Sequence, residues 1–158
     1  MAIQMNSTEN KEKNFDQVNQ WLKKIKKNEV DLVVLPEVFN FRSSTKFKKE
    51  SAETLTGETI TWLKETAKKF QVNIIAGSFT EIGKNEKVYN TSVAVNSKGE
   101  LMGTYRKIHL FDVKLKNKSI KESNHFLAGN LPKVIDVNGW KIGLSICYDL
   151  RFPELYRH

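Results

Sequence analysis

Between Asn14 and Lys27 apolar residues recur at three- and four-residue steps, at Phe15, Val18, Leu22 and Ile25, with polar residues between them. This spacing predicts an amphipathic helix with one buried face. The pattern then changes to a mainly apolar run from Val30 to Leu35, stopped by Pro36. A short Val- and Leu-rich run without alternation predicts a strand covered on both faces. Residues 56–70 return to helical spacing, with Ile60, Leu63, Ala67 and Phe70 on one face and Thr56 as the candidate N-cap. The stretch VNIIAGSF reads as a second apolar strand.

Two strand-like runs follow within residues 88–110, joined by the turn residues Asn96, Ser97, Lys98 and Gly99, and they predict a hairpin. Residues 112–130 are polar and irregular and read as a long loop or short helix. A second hairpin is expected between KVIDV and WKIGLSIC, because Asn138 and Gly139 form the dipeptide that two-residue type I′ turns favour. The chain turns at YDLRF and starts a helix at Pro153, a residue suited to a first helical turn. Helices alternating with apolar strands and hairpins indicate an α/β layered domain. One terminal helical turn buries little, so the architecture is expected to continue past His158.

At 158 residues the chain is long enough for one domain with a real core. Its 39% hydrophobic and 28% charged residues describe a soluble globular chain, without the run of about 20 apolar residues that a membrane span needs. A single cysteine and an N-terminus without signal-peptide features place it in the reducing cytoplasm. The net charge of +8 raises the question of nucleic acid. However, the lysines fall in short groups, Lys23, Lys24, Lys26 and Lys27 on one helix and Lys46, Lys48 and Lys49 in a loop, without interleaved aromatics. A solvated surface is the simpler reading, with neither nucleic acid nor membrane as partner.

Three apolar strands end in a chemically capable residue, at Glu37, Lys107 and Cys147. The carboxyl ends of strands are where α/β sheets build sites, because a rigid sheet aims several side chains into one crevice. Each residue has a plainer reading: Cys147 as a small core hydrophobe, Glu37 and Lys107 as solvated charges. A strand followed at once by Tyr148, Asp149 and a new helix, though, is the geometry that exposes a nucleophile with backbone N–H groups nearby. A thiol there needs a base or a positive charge, which Glu37 and Lys107 offer. The competing arrangement pairs Cys147 with His109 as base, leaving Glu37 and Lys107 without a role. His125 and His158 lie in a polar loop and at the terminus. One cysteine and three scattered histidines make no metal site.

The segments DLVVLPEVF, YNTSVAVNSKGELMGTYRKIHLF, KESNHFLAGN and GLSICYDLRFPEL resemble, in order and spacing, those of the nitrilase superfamily of carbon-nitrogen hydrolases, most closely its omega-amidase and deaminated-glutathione amidase branch. The resemblance runs from about Ile3 to the last residue and implies a Glu-Lys-Cys triad at Glu37, Lys107 and Cys147. It further implies a substrate-positioning glutamate at Glu122 and an oxyanion donor in the backbone N–H of Tyr148, with Asp149 and Arg151 fixing the turn. The implied activity is hydrolysis of a small non-peptide amide through a cysteine thioester, without cofactor. The implied fold is a four-layer α-β-β-α sandwich that assembles as homo-oligomers through helices including the one after the cysteine. Residues 1–158 are then the N-terminal portion of one such domain, an incomplete sandwich. A noncatalytic remnant or assembly partner of a homologous subunit is the alternative.

Overall fold

The computed structural model describes residues 1–26, 29–43, 50–116 and 118–157, without the side chain of Lys118. Helix α1 spans Lys11–Leu22, earlier at both ends than the periodicity suggested. Asn10 sets its start by accepting the Lys13 N–H at 2.8 Å. Its end comes where Lys24 and Ile25 donate to carbonyls three residues back, tightening the chain out of the helix. Phe15, Val18 and Leu22 are buried, and Ile25, just past the helix, still packs on the same core. Lys27, Lys46, Lys48, Lys49 and His158 lie outside the described residues.

Strand β1, Leu32–Val34, is flanked by the N-terminal residues on one side, where Ile3 N–H donates to Val34 O and Val34 N–H to Met1 O, both at 2.9 Å. On its other side it pairs in parallel with β2, Asn73–Ile75. Helix α2, Glu58–Phe70, lies between them in sequence. Thr56 is not its cap. Gly57 holds that position, and the Glu53 carboxylate reaches in to accept the Thr59 N–H at 2.7 Å, while the Thr56 hydroxyl pairs with Thr54. Burial opposes ionisation of Glu53, yet hydrogen bonds from Lys11 and Thr59 outweigh it and hold the carboxyl below its usual range.

VNIIAGSF is not one strand. The chain breaks at Gly77 and resumes as β3, Phe79–Ile82. Gly77 has φ +34°, and a Cβ there would lie 2.1 Å from the Pro36 carbonyl oxygen, so only glycine lets β2 pass the loop that carries Glu37. Gly77→Ala is expected to destabilise the domain by about 2 kcal/mol or more in urea unfolding. Wild-type stability would show that this approach is not rigid.

Strand β4, Val88–Val95, is the centre of a five-stranded sheet, pairing antiparallel with β2 and β3 along one edge and with β5, Leu101–Arg106, along the other. The β4–β5 turn is built on Asn96, whose side chain accepts the Lys98 and Glu100 N–H groups, with Gly99 at φ +80°. Residues 112–130 are more regular than expected. They contain an antiparallel hairpin of β6, Asp112–Leu115, and β7, Lys118–Lys121, followed by a 3-10 turn at Glu122–Asn124. The β8–β9 hairpin, Val134–Val137 with Trp140–Gly143, turns at Asn138 and Gly139, both left-handed as a type I′ turn requires.

Alternation along the strands separates two cores. Ile74, Val93 and Val95 face α1 and α2, whereas Ile75 and Ala94 face Ile135, Val137, Leu144 and Ile146 of the β8–β9 layer. The fold is α/β, with a helical layer, the five-stranded sheet and a second β layer stacked in that order. After β9 the chain passes through a 3-10 turn, Cys147–Arg151, and beyond Pro153 enters α3, Glu154–Arg157.

Candidate active site

Glu37 lies just past β1, Lys107 directly follows β5, and Cys147 opens the 3-10 turn beyond β9. The sheet and its stacked hairpin bring these ends together. Lys107 is 2% exposed, and a buried ammonium requires counter-charges. It has two. Its Nζ donates to Glu122 at 2.8 and 3.2 Å and lies 3.9 Å from Glu37 Oε1. Glu122 is held in turn by the Phe111 N–H at 2.6 Å, so the β6–β7 hairpin, which begins just after Phe111 and ends just before Glu122, anchors this carboxylate.

Glu37 Oε1 accepts a 2.7 Å hydrogen bond from Asn90 Nδ2 on the central strand β4. Its loop is pinned by Val38, which has φ +49° and donates its N–H to Ser78 Oγ at 2.9 Å. Across a cavity of about 290 Å3 that Glu37 shares with Ile75, Ser92 and Ile142, Cys147 stands on a backbone of φ +50°. Such a left-handed conformation is unusual for a residue with a side chain and is held only where surrounding structure enforces it.

Asp149 enforces it. Fully buried, its carboxylate accepts the Ile146 N–H at 2.9 Å, the His109 N–H at 2.9 Å and the Tyr105 hydroxyl at 2.7 Å, and lies 2.7 Å from His109 Nδ1. Burial and the Asp149 charge push the Tyr105 phenol above its ordinary range, so it remains a donor. The His109 ring is committed to Asp149 and stacks on Phe152 at 3.8 Å, and no hydrogen bond joins it to Cys147. The structure therefore does not support His109 as the base. His125 and Arg151 are exposed. The Tyr148 ring meets Phe111 and Phe152 edge-on, and its backbone N–H sits at the start of the turn, where helical N–H groups lack intrahelical partners. Among the described residues no cluster of metal-ligating side chains occurs, and no helix is long and apolar enough to cross a membrane.

Residues 2–158 match the carbon-nitrogen hydrolase family. The chain belongs to that family. It is 43% identical over 156 residues to nitrilase homolog 2 of Dictyostelium discoideum, covering 98% of this chain and 48% of that protein. It is 42% identical over 163 residues to the deaminated glutathione amidase of the same organism, covering 97% and 56%. The crystal structure of Saccharomyces cerevisiae Nit3, a member of branch 10 of the nitrilase superfamily, superposes with a TM-score of 0.80 at 32% identity, over 95% of this chain and 55% of that one. The chain spans about half the length of the curated relatives it matches.

In this family member the surroundings of Cys147 favour the thiol over the thiolate. Although its side chain reaches solvent, desolvation by the surrounding protein raises its pKa and the Glu37 charge raises it further, while Lys107 offsets only part. The positive charge that the sequence offered is spent largely on two carboxylates. Iodoacetamide alkylation of Cys147 should therefore rise with pH through a midpoint above the usual thiol value of about 8.5. Glu37→Gln is expected to move that midpoint down and speed alkylation at neutral pH. An unmoved midpoint would place Glu37 away from the sulfur. Asn90 and Tyr105 were not singled out from sequence. Asn90 had a visible signal, an amide interrupting the apolar strand YNTSVAV.

Proposed function

We propose that Cys147, Glu37 and Lys107 hydrolyse a C–N bond of a small non-peptide amide through a thioester on Cys147. One observation carries this reading: a buried ammonium held between two carboxylates, one of which lines the same cleft as a thiol on a left-handed turn. Glu37 takes the thiol proton as sulfur attacks the carbonyl carbon. The tetrahedral oxyanion is met by Lys107 Nζ and the Tyr148 N–H, whose effect is strongest in a site shielded from water. Collapse breaks the C–N bond, Glu37 returns the proton to the nitrogen, and ammonia or an amine leaves. Glu37 then activates water against the thioester. Glu122 positions Lys107 and, through it, the substrate. No cofactor has a step in this scheme, and the reducing cytoplasm keeps the single cysteine a thiol. The amidase name of the Dictyostelium discoideum relative favours amides over nitriles.

A second reading has its own observation. Leu131, Trp140 and Leu150 are more than two-thirds exposed, Trp140 by 77%, which suits assembly with a homologous subunit or a second copy. The deciding experiment assays ammonia release from a panel of amides, nitriles and carbamoyl compounds, alongside solution mass. Cys147-dependent ammonia from a small amide supports the hydrolase. Inertness toward the whole panel, together with a stable complex, supports the assembly partner.

A further inference from the structure

Glu37 borders two cavities. One is the cleft containing Cys147; the other, of about 230 Å3, is lined by Glu122, Asn90, Ser43, Thr80 and Arg42. Two polar atoms among the described residues are buried without a hydrogen-bond partner, Asn90 Oδ1 and Ser43 Oγ, and both belong to residues lining this second cavity. Asn90 is 3% exposed. Its amide orientation is fixed, because Nδ2 donates to the Glu37 carboxylate, and the flipped amide would set two acceptors against each other. Oδ1 is therefore an acceptor awaiting a donor, a state that native structures rarely leave unfilled.

Beside Val38, Phe41 and Phe126, the polar lining is mostly acceptors: an amide oxygen, two carboxylates and three hydroxyls, with the exposed Arg42 as the opposing charge. A small ligand rich in N–H donors suits it. We propose that Asn90 Oδ1 and Ser43 Oγ form the subsite that receives the nitrogen expelled on acylation, ammonia or a primary amine, in the second cavity that Glu37 borders. The inference rests on the hydrolase reading above. In the step it serves, the S–C bond forms, the C–N bond breaks, the nitrogen regains the proton carried by Glu37, and the acyl group stays on sulfur. The amine then passes from Glu37 to the acceptors of the second cavity and leaves the cleft free for water.

The test reads binding apart from turnover. The Asn90 side-chain NH2 signals, assigned by their loss in Asn90→Leu, are followed by NMR as ammonium, methylammonium or tetramethylammonium chloride is added. Saturable shifts with the first two, half-complete near about 0.1 M as a ligand of one or two heavy atoms allows, and none with tetramethylammonium, are expected. Equal, non-saturating drifts in all three would leave only solvent on Oδ1 and overturn the subsite. Kinetically, Ser43→Ala and Asn90→Leu should lower the ratio of kcat/KM for a primary amide to that for the matching phenyl ester at least tenfold, since the phenolate has no N–H to be received. Parallel loss on both substrates would reduce Asn90 to positioning Glu37. A wild-type protein inert toward amide and ester alike would instead sink the hydrolase reading, with the titration still deciding the subsite.

Discussion

Cys147→Ala is expected to lower amide turnover by at least about 10^4-fold while leaving the fold intact. The side chain is exposed and packs in neither core, so its loss leaves no cavity to destabilise the domain. What disappears is the proposed nucleophile. The Lys107 ammonium and the Tyr148 N–H would still polarise a bound carbonyl, but with no sulfur the reaction depends on direct attack by water from a site arranged for a two-step path. KM should move far less than kcat, because what the substitution removes is a bond formed only as the reaction proceeds. Mass spectrometry of the wild-type enzyme quenched during turnover should show an acyl adduct on Cys147, absent from the variant. A variant retaining more than about 1% of wild-type turnover, measured as ammonia release, would remove the thioester mechanism.

The placement of the three proposed catalytic residues was readable because each follows an apolar run that stops abruptly, and burial in a sheet is what makes a run apolar. Glu37, Lys107 and Cys147 inherit their positions from β1, β5 and β9, so the pattern that announced strands also announced the strand ends. Glu122 had no such carrier. It sits after a hairpin whose residues are mostly exposed, where Lys114, Lys116 and Lys121 interleave with Val113, Leu115 and Ile120, and little burial disciplines the sequence. Only resemblance pointed to it. Its partner Lys107 shows why the hairpin matters: without the returning carboxylate an ammonium 2% exposed would have Glu37 alone at 3.9 Å.

Other departures share a cause, contacts between residues remote in sequence. Helix α2 is capped by Glu53 rather than by the adjacent Thr56, since a carboxylate in reach satisfies the Thr59 N–H and gains from Lys11 as well. The break at Gly77 arises from the passing Pro36 carbonyl, which local pattern cannot register. His109 was open to a catalytic reading until Asp149, 40 positions away, was seen to claim both its backbone and its ring. That same carboxylate was legible as a turn residue, but not as the hub joining β5 to the turn that carries Cys147.

Asp149→Ala should accordingly be the most damaging substitution to stability, costing about 3–5 kcal/mol in urea unfolding. The loss has several parts. The Tyr105 hydroxyl and the Ile146 and His109 N–H groups are left in or near the core without acceptors, and the left-handed backbone at Cys147 loses the restraint that opposes its relaxation. Tyr105→Phe removes a single donor from the same carboxylate and should cost only about 1 kcal/mol. Asp149→Asn, which keeps volume and one acceptor oxygen, should fall between the two. Because the turn and the thiol share this support, the alanine variant should also lose turnover under conditions where it remains folded, by releasing Cys147 from its bearing on Glu37, and a displacement near 1 Å is enough to cost about a hundredfold in rate. Unfolding free energies that rank alanine no worse than Tyr105→Phe would mean that the turn is held by its own backbone, and that the buried carboxylate is a passenger.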